Sequence, residues 1–230
     1  MVNKGGTNMN RTIRVTGKGK ISVRPDLICI IMTLRDIYES YERTLKESSK
    51  QIKVLQDCFE EMGFERKDLK TLSFNIDTQY ERYRDKKGCW KEKFLGYEFQ
   101  HEIKVEFDLD NEMLGKVLKK LSMCDAKPLV RIAYTVKDID RIKNIMLERA
   151  IRDSKGKAEV LTMAAGVKLG EIVNIDYSWG EIEFFSRPME DFFDCMKLSD
   201  DDYDDDSFDI DIEPEDIKKS DTVTVVWAIE

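Results

Sequence analysis

Residues 27–34 read LICIIMTL, a nearly unbroken apolar run near the start of the chain. A strand that faces water on one side alternates apolar and polar residues, whereas a strand buried on both faces has no such alternation. The run therefore predicts a central strand of a sheet with both faces buried. Pro25 and Asp26 separate this strand from the segment before it.

The segment before Pro25 has a different pattern. Its apolar residues are separated by Arg, Thr, Lys and Ser, with two glycines in the middle: Ile13, Val15, Gly17, Gly19, Ile21 and Val23. Alternation predicts a strand with one buried face, and the two glycines favour a bend or a β-bulge within it.

Three helices are predicted after the apolar run. The first has an apolar stripe at steps of seven, three, four and three residues: Leu45, Ile52, Leu55, Phe59 and Met62. The second extends from about Asn111 to Met123. The third begins at Asp138 or Asp140, either of which suits an N-cap, and stops at Gly166.

The remaining apolar alternation predicts five more strands: residues 72–76, 96–109, 129–136, 172–179 and 222–229. The order β-β-α-β-β-α-β-α-β-β, with strands mostly joined as hairpins, favours an α+β fold with a mostly antiparallel sheet and long packed helices. We interpret residues 1–10 as a flexible leader and residues 11–230 as one domain. Two interlocked subdomains are the alternative.

The net charge of −8 at pH 7 is unevenly distributed. Between Glu190 and Asp216 there are fourteen Asp or Glu residues and one Lys, a net charge of −13, so the rest of the chain carries +5. We interpret residues 184–211, approximately, as a solvated acidic insertion loop held open by self-repulsion. Alternatively, the loop binds a basic surface of its own chain, of a sister subunit or of a basic protein partner.

Four carboxylates in this segment match positions 1, 3, 5 and 12 of a calcium-binding loop: Asp202, Asp204, Asp206 and Glu213. Two departures weigh against the match. Ser207 replaces the usual glycine at position 6, and Pro214 stands where an exiting helix would begin. Diffuse binding of divalent cations is the broader alternative.

Three features predict a cytoplasmic protein without a membrane span. No window approaches 18 uncharged apolar residues. Residues 1–14 are polar and lack the apolar region of a secretory signal. The cysteines are odd in number and never form a C-x-x-C pair, which suggests neither a disulfide framework nor a zinc site: Cys29, Cys58, Cys89, Cys124 and Cys195.

The sequence shows no assembled catalytic or cofactor site. His101 is the only histidine, and it alternates in phase with Ile103 and Val105, which predicts a core or edge position. Gly17 and Gly19 lack the third glycine and the following helix of a dinucleotide-binding motif. We therefore expect a protein that is not an enzyme and that binds no cofactor.

Residues 80–94 predict a charged hairpin that turns near Lys87 and Gly88. Aromatic residues interleaved with Arg and Lys suit single-stranded nucleic acid, but acidic residues in and just after the hairpin dilute the positive charge and disfavour that partner: Glu81, Asp85, Glu92 and Glu98. We expect the aromatic residues to contribute to a subunit interface of a homo-oligomer: Tyr80, Tyr83, Trp90, Phe94 and Tyr97.

Several segments together carry a further signal: IRVTGKG (13–19), VRPD (23–26), KDLKT (67–71), GY (96–97), AIRDSKGKAEVLTMAAGVKLG (150–170) and IEP (212–214). As a set they resemble the SIMPL-domain family, a domain of unknown function, over about residues 11–230. Small residues in the longest segment would let a helix approach a sheet closely, so the shared positions read as determinants of the fold.

The resemblance implies periplasmic or surface proteins of Gram-negative bacteria, some linked to oxidative-stress tolerance and some immunogenic. It also implies large ring-like or channel-like homo-oligomers. The leading hypothesis is a non-enzymatic, self-associating SIMPL-domain protein related to stress or to the cell envelope. The alternative is a binding module whose acidic loop engages a basic protein partner or divalent cations.

Overall fold

The computed structural model describes residues 11–177, 182, 184, 185 and 212–230. Within them the order of helices and strands is the predicted one, and every strand pairing is antiparallel. The elements are β1 (Thr12–Val23), β2 (Leu27–Tyr38), α1 (Tyr41–Glu60), β3 (Lys70–Arg84), β4 (Trp90–Asp108), α2 (Asn111–Ser122), β5 (Leu129–Thr135), α3 (Ile139–Ala164), β6 (Leu169–Asp176) and β7 (Ile217–Ile229). The fold class is thus α+β, and none of the described helices is long and apolar enough to cross a membrane.

The chain divides into two compact units. The first, called the terminal unit, combines Met1–Arg24, Val136–Phe184 and Glu215–Glu230. The second, called the central unit, combines Pro25–Thr135 and Phe185–Pro214. The terminal unit contains a sheet of order β1-β7-β6, and the central unit contains a sheet of order β3-β4-β2-β5.

Helix α3 of the terminal unit lies directly on β1. Gly17 and Gly19 leave no room for a side chain there: a Cβ on Gly17 would lie 1.9 Å from the carbonyl oxygen of Ala150, and a Cβ on Gly19 would lie 1.9 Å from that of Met146. On the helix side, Ala150 and Ser154 are fully buried. The two glycines therefore serve close packing of a helix against a strand.

The predicted β-bulge in β1 is wrong. All twelve residues of β1 pair with β7 without a register shift, from Thr12 opposite Ala228 to Val23 opposite Ile217. The glycines suggested a bulge because a bulge is a frequent reason for glycine in a strand. Close approach of another element is the other frequent reason, and it applies here.

Side chains of α3 also cover the outer edge of β1. The Lys18 amide donates to the Asp153 carboxylate at 2.7 Å, and the Arg149 guanidinium donates to the Lys20 carbonyl oxygen at 2.7 Å. An uncovered edge strand offers such groups to strands of other molecules. At the opposite end of this sheet, no strand of the described part of the chain pairs with the outer edge of β6.

The core of the central unit forms between its sheet and helices α1 and α2. Alternate residues of β2 are at most 1% exposed within this core: Ile28, Ile30, Met32 and Leu34. On the other face of the strand, Cys29 is buried, whereas Ile31 and Thr33 are only half-buried. The expectation that β2 is central is confirmed, but its second face is only partly buried.

The ends of α3 follow the predicted signals. The Asp138 side chain accepts from the Arg141 amide at 2.9 Å and caps the helix start. At the other end the Val167 amide donates to the Thr162 carbonyl oxygen at 3.0 Å, with Gly166 at a φ of +69° between them. Glycine favours this left-handed conformation, so the helix stops there.

Candidate functional site

The distal parts of β3 and β4 continue beyond the rest of their sheet. The pairing of β2 with β4 ends at Tyr38 opposite Tyr97, whereas β3 and β4 remain paired as far as Arg84 opposite Trp90. Residues 79–96, called the arm, are therefore a two-stranded ribbon. The predicted charged hairpin is present at this position.

The turn of the arm is organised by Asp85. Its carboxylate accepts from the backbone amides of Lys87 at 2.9 Å and Cys89 at 3.0 Å, and Lys91 lies 3.4 Å away as an ion-pair partner. The hydrogen bond from the Cys89 amide, more than the other contacts, lowers the pKa of Asp85. Gly88, with a φ of +79°, completes the turn near the predicted position.

Gly96 sets the base of the arm. Its φ is +149°, and a Cβ there would lie 2.3 Å from the carbonyl oxygen of Tyr38. The register of β3 and β4 shifts next to it, between Gln79 and Tyr80, so that Leu95 is an extra residue in β4. A glycine lets β4 pass the end of β2 at this irregularity.

An aromatic row extends from α1 onto the arm. Tyr41 of α1 contacts Tyr97 at a centroid distance of 5.6 Å, Tyr97 contacts Phe94 at 5.4 Å, and Phe94 contacts Tyr80 at 5.5 Å. All three contacts are edge-to-face, the arrangement that aromatic pairs prefer. The row is ordered by its own contacts, although 53% of Tyr80 and 42% of Phe94 is exposed.

The same face of the arm ends in Trp90. Arg84, directly opposite on β3, places its guanidinium 4.7 Å from the centroid of the indole. Between this pair and the aromatic row, Arg82 and Glu92 form an ion pair at 2.8 Å. Trp90 remains 65% exposed, the most of the five aromatic residues predicted for an interface.

Side-chain alternation separates one predicted residue from the other four. Tyr80, Phe94 and Trp90 lie on the face that continues from Tyr97, whereas Tyr83 pairs with Lys91 and lies on the opposite face. The structure therefore brings four of the predicted aromatic residues onto one face and leaves Tyr83 apart.

A buried carboxylate lies at the base of the arm on its opposite face. Glu98 is 9% exposed and forms an ion pair with Arg35, and Gln79 donates to its other oxygen at 2.5 Å. The hydrogen bond from Arg35 raises the pKa of that guanidinium further above its usual value. Arg35 and Gln79 thus provide partners for both oxygens of the Glu98 carboxylate, and these contacts stabilise the junction of β2, β3 and β4.

His101 is also held by contacts with neighbouring side chains of its sheet. It is buried in β4, its Nε2 lies 2.9 Å from Thr71 Oγ1, and its ring contacts Phe74 edge-on at 5.1 Å. Burial lowers the pKa of the imidazole. In the described part of the chain His101 belongs to no group of three or more His, Cys, Asp or Glu residues that would hold a metal ion.

The predicted calcium ligands Asp202, Asp204 and Asp206 lie outside the described residues, and Glu213 lies within them. Across residues 11–177, 182, 184, 185 and 212–230 there is no cluster of three or more His, Cys, Asp or Glu residues that would hold a metal ion. The acidic insertion predicted at about 184–211 falls almost wholly outside the described ranges.

Sequence reasoning missed one pair of neighbouring thiol side chains. The sulfur atoms of Cys58 and Cys124 lie 3.3 Å apart, although the two residues are 66 positions apart in the chain. Cys58 lies within α1 and Cys124 lies just after α2, and the sequence carries no signal of their proximity. Cys29 is buried and Cys89 is exposed in the turn of the arm.

Comparison with known proteins gives one family and two relatives. The model of the family described as "SIMPL: Protein of unknown function (DUF541)" matches residues 13–227. The 26 kDa periplasmic immunogenic protein of Brucella melitensis biotype 1 is 28% identical over 184 residues, which cover 79% of this chain and 70% of that protein. The protein of the same name from Brucella abortus is 27% identical over the same extent.

Proposed function

The chain belongs to the SIMPL family of unknown function, and from this membership we propose that it is a non-enzymatic protein that self-associates through the arm. The observation that carries the proposal is the aromatic row on one face of the arm, continued by Trp90. Aromatic residues are enriched where subunits meet, and the arm presents them on a ribbon with little else to bury them.

The order of the aromatic row supports an interface in preference to an unspecific apolar surface. The contacts among Tyr41, Tyr97, Phe94 and Tyr80 hold the rings in one arrangement before any partner arrives. A preorganised surface loses less side-chain entropy on binding than a mobile one. Arg84 and Arg82 on the same face add charged groups of the kind found at the rim of an interface.

Light scattering with two matched variants tests the proposal. We expect a mass well above the 26.9 kDa of one chain at micromolar concentration. Trp90→Ser should reduce that mass, because it removes an exposed ring from the face of the aromatic row. Tyr83→Ser is the control, since it removes an exposed ring from the opposite face of the same arm. A monomeric wild type, or equal effects of the two variants, would contradict the proposal.

The compartment forms a second part of the proposal. The two relatives are named as periplasmic proteins, whereas the sequence predicts a cytoplasmic protein. We propose a role related to the cell envelope, which the relatives' names support. Fractionation of cells that express the full-length gene, with a cytoplasmic and a periplasmic marker, decides between the two.

The charge of the acidic segment favours a second candidate, a binding module. The net charge of −13 between Glu190 and Asp216 suits a basic protein partner or divalent cations. Deletion of residues 199–211 should then abolish capture of a basic protein and any rise in thermal stability on addition of calcium. The candidate fails if both remain unchanged.

A further inference from the structure

The sulfur atoms of Cys58 and Cys124 approach each other between the ends of two helices of the central unit. Cys58 lies in the last turn of α1, and Cys124 follows the last residue of α2, Ser122. The Cys58 thiol donates a hydrogen bond to the Cys124 sulfur at 3.3 Å. Cys124 belongs to the core of the unit and Cys58 packs against that core, which fixes the two helix ends on the same sheet.

Local backbone contacts hold Cys124 in this position. Its amide donates to the Leu121 carbonyl oxygen at 3.1 Å, and its carbonyl oxygen accepts from the Lys127 amide at 3.0 Å. Lys127 has a φ of +43°, so the chain turns sharply just after the cysteine. Since neither cysteine is carried on a long loop, the proximity of the sulfur atoms is a property of the packed helices.

The two thiols differ in access. Cys124 is 4% exposed, whereas Cys58 is half-buried beside the ion pair of Lys120 with Glu61. An external reagent therefore reaches Cys58 first, and the sulfur nearest to the resulting adduct is that of Cys124. This arrangement, an accessible thiol with a buried partner within reach, is the one that resolves an adduct into an internal disulfide.

We propose that Cys58 and Cys124 are a redox modification site that is converted to an intramolecular disulfide by thiol–disulfide exchange with a small-molecule disulfide. In the first step the Cys58 thiol gives its proton to solvent, and its thiolate attacks one sulfur of the small disulfide. The S–S bond of that reagent breaks and releases one small thiol. The Cys124 thiol then gives up its proton to solvent, and its thiolate attacks the Cys58 sulfur and displaces the second small thiol. Each small thiolate that leaves takes up a proton from solvent. Two protein thiols are thereby oxidised and one small disulfide is reduced to two thiols.

The environment sets the rate of the first step. Burial, followed by the hydrogen bond to Cys124, raises the pKa of Cys58 to about 11. Only the thiolate attacks, so at pH values below that pKa the rate should rise about tenfold for each unit by which the pH is raised. The pair is thus slow to oxidise at neutral pH.

Mapping of the disulfide in the full-length chain tests the inference independently of self-association. The wild type is equilibrated with oxidised glutathione at pH 8.5, alkylated, digested without reduction and analysed by mass spectrometry. We expect a peptide that links Cys58 to Cys124 and the loss of both of these thiols. Cys89→Ser with Cys195→Ser should leave this link intact, whereas Cys58→Ser should abolish it.

Three results would overturn the proposal. Both thiols could remain free after equilibration, Cys58 could retain glutathione as a stable mixed disulfide, or either cysteine could link only to Cys29, Cys89 or Cys195. The measurement on the wild type does not depend on whether the serine variants fold. Self-association is read separately by light scattering in reducing buffer, so failure of one proposal does not imply failure of the other.

Discussion

Gly17 of β1 lies so close to Ala150 of α3 that a Cβ on Gly17 would stand 1.9 Å from the carbonyl oxygen of Ala150. The nearby Ser154 amide nitrogen would be 2.5 Å away. Both neighbours are helix backbone and cannot rotate out of the way. The close spacing of β1 and α3 therefore requires glycine at position 17, because its side chain is a single hydrogen atom.

Replacement of Gly17 by alanine should destabilise the protein strongly. The added methyl group forces α3 away from β1, and overpacking of this kind costs about 3 kcal/mol where backbone must move. Denaturant unfolding followed by circular dichroism measures the change in the free energy of unfolding.

Gly156→Ala is the matched control. Gly156 lies in the same helix, but a Cβ there would have nothing within 4 Å. Alanine is the better helix former, so this variant should gain up to about 1 kcal/mol in stability. A loss at Gly17 no larger than the change at Gly156 would refute the packing argument.

Gly96→Ala should weaken the base of the arm. Alanine is strained at a φ of +149°, and its Cβ would lie 2.3 Å from the Tyr38 carbonyl oxygen. We expect a loss of about 2 kcal/mol, a magnitude typical of strained backbone positions.

Gly88→Ala separates the two causes of that loss. Gly88 also has a positive φ, of +79°, but no atom would lie within 4 Å of a Cβ. Strain alone should cost about 1 kcal/mol there. Equal losses at positions 88 and 96, measured by the same unfolding experiment, would show that contact with Tyr38 is unimportant.

Stability should decrease as pH falls from neutral toward mildly acidic values, because of His101. Burial lowers the pKa of its imidazole in the folded state below the value of the unfolded chain. The unfolded state therefore binds a proton first, so stability is complete above the unfolded pKa and declines as pH falls through it toward the folded pKa. Since the chain has one histidine, a single imidazole resonance reports the folded pKa by NMR.

The His101→Gln variant tests the assignment of that pH dependence. Between pH 7 and about 5.5 few carboxylates titrate, so the midpoint temperature of the variant should change less with pH than that of the wild type. A parallel decline in both proteins would assign the effect to other groups.

The oxidised protein should be more stable than the reduced protein. A bond between Cys58 and Cys124 closes a loop of 66 residues in the unfolded chain. Loop-closure entropy predicts a gain of about 4 kcal/mol, and strain in the folded state reduces it. Calorimetry of the two forms measures the difference, and an equal or lower midpoint for the oxidised form would contradict the prediction.

Local patterns predicted most of the fold. The apolar stripe of α1, the aspartate before α3 and the alternation in β4 each depend on neighbours within a few residues, so the sequence displays them directly. The function of Gly17 was not predictable in the same way. Glycine is required at position 17 by contact with α3, which begins more than 120 residues later in the chain. From the sequence alone, a glycine in a strand indicates a bulge equally well.

The candidate site shows the same division. The hairpin arm and its aromatic residues were predicted because they are consecutive in the chain. Tyr83 lies apart because side chains alternate along β3, whereas the shared face of Phe94 and Tyr97 depends on the extra residue Leu95, which only the register reveals. The approach of Cys58 to Cys124 depends on where two helices end on one sheet, and neither helix specifies that by itself.

The two edge strands of the sheet in the terminal unit, β1 and β6, differ in how well they can pair with a strand of another molecule. Asp153 and Arg149 occupy hydrogen-bonding groups along β1, whereas β6 exposes Ile172, Val173 and Ile175 and has no partner strand on its outer edge in the described part of the chain. A sheet with one available edge can pair with only one further strand. Two copies that pair through their β6 strands would use the available edge of both sheets. Assembly through this sheet would then end at two copies, because a fibre needs a second free edge to continue.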